Sequence, residues 1–318
     1  MSTIKKIISS VLLLITVLSL TACKNSSTAN EFIDFSATVV STENTTKTTD
    51  VTVFYTDKNG YIVPVRMTIP WSEGIAKSVI RKMMYTPELQ RELVVMGLES
   101  LMPPEAIING LDISNGLAKI DFKTAKLTFD SKNGEQNFVR GVVLALTSFP
   151  TVKEVQFMFN GHILQTLPNG TDVSKPLKAQ DINSVTSSAK GNKVLLYYHA
   201  SSTTNYEYFV PVTVYMSQND CVFAVNYMIE HKFDNLKTCI PDNSKLLNTQ
   251  IIDDTLCLFF NDEFNKLKSS YTDEKNAIKS IMLTCSQFFD TSRVKIYAGN
   301  KEYVPFDGID TTTFANIY

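Results

Sequence analysis

This chain of 318 residues contains few histidines, glycines and prolines, and it has no excess of positive charge. With three histidines and no HExxH or paired CxxC motif, the sequence does not predict a metal site. No GxSxG motif marks a hydrolase nucleophile, so we expect no catalytic or cofactor-binding residue. Twelve glycines and eleven prolines are too few for a fibrous or linker-like chain. The net charge of −2 lacks the basic excess of a nucleic-acid-binding protein, so we expect no nucleic-acid partner.

The N-terminus has the pattern of a bacterial lipoprotein signal. Lys5 and Lys6 precede an apolar run, Ile7 to Leu20, that is short for a membrane span of roughly 20 apolar residues. Leu20-Thr21-Ala22-Cys23 then resembles the lipobox, whose cysteine receives a lipid before cleavage. We therefore predict a signal peptide over residues 1–22 and lipidation, including palmitate, of Cys23. The alternative is an uncleaved anchor helix with an incidental cysteine.

Residues 23–49 are expected to form a solvated tether. Residues 24–49 contain eleven Ser or Thr and neither glycine nor proline, a composition that cannot bury a core. The folded part would then lie near the extracytoplasmic face of the cell membrane without being pressed onto it.

Most of the chain consists of two copies of one sequence repeat. Hydrophobic residues make up 44% of the chain, which is enough for a core in each copy. Tyr61-Ile-Val-Pro-Val65 matches Tyr208-Phe-Val-Pro-Val212 at four of five positions. Runs of strands with two separated helices in each copy predict an α+β fold, a tandem repeat of two small sheet-plus-two-helix domains. We predict the first domain over residues 50–180, a linker over 181–192 and the second domain over 193–318.

Several elements are expected from local signals in the first copy. Asp57-Lys-Asn-Gly60 indicates a hairpin turn, and Ser72 is expected to cap the helix that follows. A second helix is predicted over Glu135–Phe149. Asn160-Gly161 predicts a hairpin that returns through His162–Thr166.

One strand differs between the copies on a single face. The first copy places Lys119 and Asp121 there, whereas the aligned positions in the second are Cys257 and Phe259. A strand that is apolar on both faces belongs to a sheet that is covered on both sides. We therefore predict that Cys257 and Phe259 lie at a domain or subunit interface. The cover would come from the first copy or the tail Thr311–Tyr318, or else from a partner subunit or another copy of the protein.

The second copy alone holds the four remaining cysteines, which are Cys221, Cys239, Cys257 and Cys285. In an exported protein four cysteines allow three disulfide connectivities. We expect free buried thiols, with disulfides and then metal binding as alternatives.

The three histidines, His162, His199 and His231, are expected at hairpins or a helix end. No acid or nucleophile stands at a triad-like position in the sequence around them. We therefore interpret them as surface or capping residues.

These features together resemble the GerM family of sporulation and spore-germination lipoproteins, and each copy resembles a GerMN domain. The residues that carry the resemblance are Val53–Tyr55, Val63–Val65, Pro103, Gly116–Asp121, Thr147–Pro150, Val155–Gly161 and Asp172–Leu177. The resemblance covers residues 50–178 well and 193–318 more loosely, because Asp290 stands in place of Pro150. It implies a role near cortex peptidoglycan or in a ring-shaped complex at the forespore septum. Related ring-building modules act by surface contact and supply no catalytic residues.

The sequence therefore predicts a non-enzymatic, membrane-anchored scaffold or assembly factor of sporulation or germination. Its expected partners are the membrane through the lipid anchor, envelope or sporulation ring proteins, peptidoglycan, or a second copy of itself. One alternative is a peptidoglycan-modifying enzyme, which needs a pocket with converging acids. Another is a glycan or small-molecule sensor of germination, which needs exposed aromatic residues around a cleft.

Overall fold

The two copies of the repeat fold into largely the same order of strands and helices. The computed structural model describes residues 47–185, 190–291 and 293–309. The elements of the first copy are β1 (Thr48–Asp57), β2 (Ile62–Pro70), α1 (Ile75–Met83), α2 (Pro87–Met96), β3 (Leu98–Glu99), β4 (Ile108–Ser114), β5 (Leu117–Phe122), α3 (Lys132–Thr147) and β6 (Glu154–Phe159). The elements of the second copy are β7 (Asn192–Ser201), β8 (Glu207–Met216), α4 (Cys221–Glu230), β9 (Leu246–Ile252), β10 (Thr255–Phe260), a 3₁₀ helix (Asp262–Ser269), α5 (Tyr271–Cys285), β11 (Arg293–Ala298) and β12 (Lys301–Tyr303). The expected α+β tandem repeat is confirmed.

A β-hairpin opens each copy, and in the first copy it turns at the predicted Asp57–Gly60. β1 pairs antiparallel with β2, and β7 pairs antiparallel with β8. In the first turn, the Asp57 carboxylate accepts the backbone N–H groups of Asn59 and Tyr61, both at 2.9 Å. Gly60 completes the turn with a φ of +82°, a conformation that favours glycine.

Two predictions about the first helices need correction. The prediction that Ser72 caps α1 is wrong, because Gly74 occupies the N-cap position and no side chain bonds there. The helix α2 was not expected, since Leu93 is its one buried residue and an apolar stripe is missing. Its ends nevertheless follow ordinary signals, with the Thr86 hydroxyl accepting the Leu89 N–H at 3.1 Å and Gly97 in the left-handed conformation.

Each copy builds its main sheet around a helical crossover. β5 pairs in parallel with β6 across α3, and β10 pairs in parallel with β11 across α5. The helix α3 begins and ends earlier than the predicted Glu135–Phe149, because Ser131 caps it by accepting the Gly134 N–H at 3.0 Å. The helix side of each central strand is fully buried, with exposed fractions of 0% for Ile120 and Leu258.

A buried glutamate at the start of each crossover helix fixes the loop that closes its copy. Glu135 accepts the backbone N–H groups of Asn169 at 2.6 Å and Thr171 at 2.9 Å. Glu274 accepts the Phe306 N–H at 2.9 Å and the Tyr303 hydroxyl. Both carboxylates have an exposed fraction of 0%, so these donors replace the water that a buried charge requires.

The prediction of a hairpin strand over His162–Thr166 is wrong. Asn160 and Gly161 do form a turn, with φ values of +51° and +78°, but His162 makes a single bridge with Phe159. The edge of β6 is instead taken by Leu177, which exchanges backbone hydrogen bonds of 2.9 and 2.8 Å with Val155. A later segment therefore occupies the place that the hairpin was expected to fill.

Side chains join the two copies, which belong to one compact unit. The Asn183 side chain accepts the Ile62 N–H at 2.8 Å and donates to the carbonyls of Ile62 at 2.7 Å and Pro211 at 2.8 Å. The Tyr208 hydroxyl donates to the Asp57 carboxylate at 3.1 Å. The beginning of the predicted linker thus bonds to both hairpins, and independent folding of the copies stays a prediction.

Candidate functional site: a cleft in each copy

Each copy forms a cleft beside the loop that follows its first helices. The first cleft, of about 760 Å³, includes Met102 and Pro103 in its wall. The second, of about 460 Å³, includes the aligned Ile240 and Pro241. Both volumes lie in the range of small-molecule sites.

The two clefts carry opposite charge. The first is lined by four carboxylates and one lysine, which are Asp57, Glu99, Glu105, Asp130 and Lys58. The second is lined by three lysines and two carboxylates, which are Lys232, Lys237, Lys266, Asp242 and Asp273. Aligned surfaces with different charge favour different ligands or partners.

Cys239, in the wall of the second cleft, contacts residues that are far from it in the sequence. The thiol of Cys239 lies 3.7 Å from Nδ1 of the buried His199. Nε2 of the same ring lies 3.8 Å from Oε1 of Glu207. Cys239 adopts a φ of +57°, a left-handed conformation that is uncommon for this residue. The interpretation of His199 as a surface or capping residue is therefore wrong, because its ring is buried beside Cys239 and Glu207.

The first copy has no equivalent of this cluster. The positions aligned with His199, Glu207, Cys239 and Asp273 are Thr56, Gly60, Leu101 and Gly134. Strand pairing assembles two of its members, because Ser201 pairs with Glu207 and lies two residues beyond His199 on β7. The hairpin register was a signal from which sequence analysis could have placed Glu207 near His199.

The electrostatics of the cluster keep its reactive groups uncharged. Burial, reinforced by the nearby Asp273 and Glu207 carboxylates, raises the pKa of the Cys239 thiol to about 12. Burial also lowers the pKa of His199, although Glu207 opposes that shift. Near neutral pH the thiol keeps its proton, and a thiol is a much weaker nucleophile than a thiolate.

The geometry of the cluster does not complete a catalytic triad. Nε2 of His199 is buried and makes no hydrogen bond. Its distance of 3.8 Å to Oε1 of Glu207 is too long for one. Glu207 instead accepts the Asn276 side chain at 2.7 Å. Across residues 47–185, 190–291 and 293–309, no three His, Cys, Asp or Glu side chains come together as metal ligands.

The predicted interface residues lie on the sheet face that points away from α5. Cys257 has an exposed fraction of 2% there, and Phe259 is half-buried against the Tyr297 ring, with the centroids 4.9 Å apart. The aligned face of the first copy is polar, because Asp121 accepts the Gly161 N–H at 2.9 Å. The two residues therefore share one face, and its role as an interface stays a prediction.

The other predicted site residue, Cys23, lies outside the described residues. In the part of the chain that the structure describes, no helix is both long and apolar enough to span a membrane.

Comparison with known proteins supplies the relationship that the geometry alone does not. A family model described as Germane: Sporulation and spore germination matches residues 52–165 and 195–304. The spore germination protein GerM of Bacillus subtilis is 28% identical over 268 residues, which cover 78% of this chain and 71% of that protein. The solved structure of the tandem GerMN domains of the sporulation protein GerM from Bacillus subtilis superposes with a TM-score of 0.59. It shares 25% identity and covers 84% of this chain and 100% of its own.

Proposed function

The chain belongs to the Germane family of sporulation and spore germination proteins, and we propose that it acts there as a membrane-anchored scaffold or assembly factor without catalytic activity. Its similarity to GerM supports a role in sporulation or germination. The proposed scaffold role is based on the same similarity and on the arrangement of the two copies, which are joined by hydrogen bonds and have clefts of different charge. Envelope or sporulation ring proteins, peptidoglycan and a second copy of the chain are the proposed partners.

The observation that carries the non-enzymatic proposal is the state of Cys239. It is the nucleophile that lies beside a histidine in the described residues, and its pKa is raised to about 12. Catalytic cysteines have lowered pKa values instead, because a nearby cation or helix N-terminus stabilises the thiolate. A binding or structural role therefore fits this environment better than covalent catalysis.

The sensor alternative finds little support in the same cleft. A glycan sensor needs exposed aromatic rings on which sugars can stack. Tyr198 is the one aromatic residue in the wall of the second cleft, and its exposed fraction is 0%. Its hydroxyl is also engaged, since it donates to the His231 carbonyl at 3.1 Å.

An in-frame deletion, scored separately for engulfment, cortex synthesis and germination, tests the proposal. Complementation with the Cys239→Ser variant should restore whichever step fails, because a scaffold does not need the thiol. The purified full chain should also release no soluble fragments from peptidoglycan. Release of fragments by the wild-type protein, lost in Cys239→Ser, would establish an enzyme and overturn the proposal.

Membrane anchoring through Cys23 is the second part of the proposal. Cys23→Ala should abolish incorporation of radiolabelled palmitate and leave the protein unprocessed, because the lipobox thiol is the acceptor. Cys239→Ala is the control and should keep the label. Palmitate on the Cys23→Ala protein would contradict the assignment.

A further inference from the structure

Cys221 and Cys285 meet in the core of the second copy. Cys221 is the first residue of α4 and Cys285 the last of α5, and their sulfur atoms lie 2.8 Å apart. Their exposed fractions are 2% and 0%. A disulfide places its sulfurs about 2.05 Å apart, so closing the bond needs a displacement below about 1 Å.

The first copy shows what ordinary packing at these positions looks like. Ala76 in α1 aligns with Cys221, because the buried positions of α1 and α4 follow the same spacing. Leu146 in α3 aligns with Cys285, because each lies the same number of residues after the buried glutamate, Glu135 or Glu274, of its crossover helix. Both first-copy residues are buried and apolar. The helices of the second copy therefore replace an alanine and a leucine with two thiols in contact.

We propose that Cys221 and Cys285 form a disulfide bond in the mature protein. Of the six pairs that four cysteines allow, this contact selects the one between Cys221 and Cys285. Cys239 lies beside His199, and Cys257 lies on the opposite sheet face near the Thr255 carbonyl. Neither competes as a partner, so both remain single thiols.

The bond forms by thiol–disulfide exchange with an oxidant that itself carries a disulfide. One thiolate attacks the oxidant to give a mixed disulfide, and the second thiolate then displaces the oxidant's remaining sulfur. The two protein thiols lose two protons and two electrons in total, and the oxidant's disulfide becomes two thiols. Burial and the adjacent Cys221 raise the pKa of Cys285, so its thiolate is not accessible in the folded chain. Exchange therefore takes place before α4 and α5 pack together.

The bond would link α4 and α5 of the second copy covalently. Its ends are 64 positions apart, and the enclosed segment contains β9, β10 and the 3₁₀ helix. A crosslink of this length restricts the unfolded chain and raises Tm by on the order of 10 °C. The inference does not depend on the scaffold role. A reduced pair in a protein that still complements the deletion would overturn the bond and leave the proposed function intact.

Peptide mapping of the full chain tests the connectivity. Protein prepared without reductant from the membrane fraction is alkylated with iodoacetamide in guanidinium chloride and digested. Mass spectrometry should find Cys239 and Cys257 alkylated and the Cys221 and Cys285 peptides joined until dithiothreitol separates them. Alkylated Cys221 and Cys285, or either one joined to another cysteine, would overturn the proposal.

A pair of variants tests the stabilisation. Reduction should lower the Tm of the wild-type protein by about 10 °C. Cys221→Ala combined with Cys285→Leu restores the residues of the first copy and should make Tm insensitive to reduction. Cys239→Ser is the matched control and should keep the full shift. A wild-type Tm that does not respond to reduction, or a shift lost in Cys239→Ser, would contradict the bond.

Oxidised glutathione tests the order of folding and oxidation. The reduced, folded protein should resist oxidation, whereas protein refolded from urea in the same buffer should acquire the bond. Equal rates of oxidation before and after unfolding would show that burial does not protect the pair.

Discussion

The two copies share a framework of buried hydrogen bonds but differ in their cysteines, in the charge of their clefts and on one face of their main sheets. Glu135 and Glu274 hold the closing loops in the same way, and Tyr55 and Tyr198 each donate to a carbonyl at the end of the first helix. Four of the five cysteines, the lysine-rich cleft and the outer sheet face with Cys257 and Phe259 belong to the second copy. The copies therefore have the same buried hydrogen bonds at these positions and differ at other buried positions as well as at the surface.

The strongest test of the shared framework removes one buried glutamate from each copy. Glu135→Ala leaves the N–H groups of Asn169 and Thr171 without an acceptor, and Glu274→Ala does the same to Phe306. Each change should lower the free energy of unfolding by about 3 kcal/mol, measured by urea denaturation. Asp172→Ala, which loses an exposed local bond to Ser174, is the control for general effects of losing an acid. A loss in one copy alone would show that the two frameworks are not equivalent.

Separating the copies tests whether either framework is complete. Residues 50–180 should be soluble and melt cooperatively, because that copy has its own helices, sheet and core. We expect a stability lower by roughly 2 kcal/mol than in the full chain, since the bonds of Asp57 to Tyr208 and Ile62 to Asn183 are lost. Thermal melting by circular dichroism measures this. Aggregation of the fragment would instead indicate one fused core.

Local periodicity was sufficient to predict most of the framework. The strand predicted around Lys119 and Asp121 is β5, and the helix predicted over Glu135–Phe149 is α3 with its ends shifted by a few residues. The helix α2 was missed because Val94 and Val95 are exposed and interrupt the stripe. Its capping signals, Thr86 and Gly97, were present but carry less weight than periodicity.

The clustered side chains could not be predicted in the same way. Cys239 reaches His199 from 40 positions away, and Cys221 reaches Cys285 from 64. Such contacts depend on how helices and sheets pack, and cysteine spacing alone leaves every connectivity open. Pairing of known strands was the one partial guide, because it places Glu207 near His199.

The apolar outer face of the second copy offers a smaller and more specific test. Phe259→Asp in the full chain should cost about 1 kcal/mol of stability through its stack on Tyr297 and should weaken self-association or binding of a partner. The adjacent edge strand supports this expectation, since Ile252 pairs with Thr255 on the same face and has an exposed fraction of 47%. Sedimentation velocity measures assembly, and circular dichroism measures folding. Lys119→Asp is the control, because it places an aspartate on the aligned face of the first copy, and it should change neither assembly nor folding. If the Phe259→Asp protein is unfolded, Phe259 is an ordinary core residue and the interface prediction is wrong.

The smallest expected effect is a pH dependence of the free energy of unfolding, which His199 confers on the second copy. Burial holds the pKa of His199 below its ordinary value of 6.5, against the opposing Glu207 and Asp273 and with the help of Lys237 and Lys275. The unfolded chain therefore binds this proton at a higher pH than the folded chain does. Stability from the neutral ring is complete above pH 6.5 and is lost as the pH falls from there towards the folded pKa.

His199→Thr, which restores the residue of the first copy, should reduce this loss. Urea unfolding between pH 7.5 and 5 would show a shallower fall in the variant than in the wild-type protein, whatever its stability at pH 7.5. His162→Gln, in an exposed loop of the first copy, is the control and should keep the wild-type slope. A wild-type slope in His199→Thr would mean that the buried ring keeps its ordinary pKa. The difference between the copies at this position would then be one of packing and not of charge.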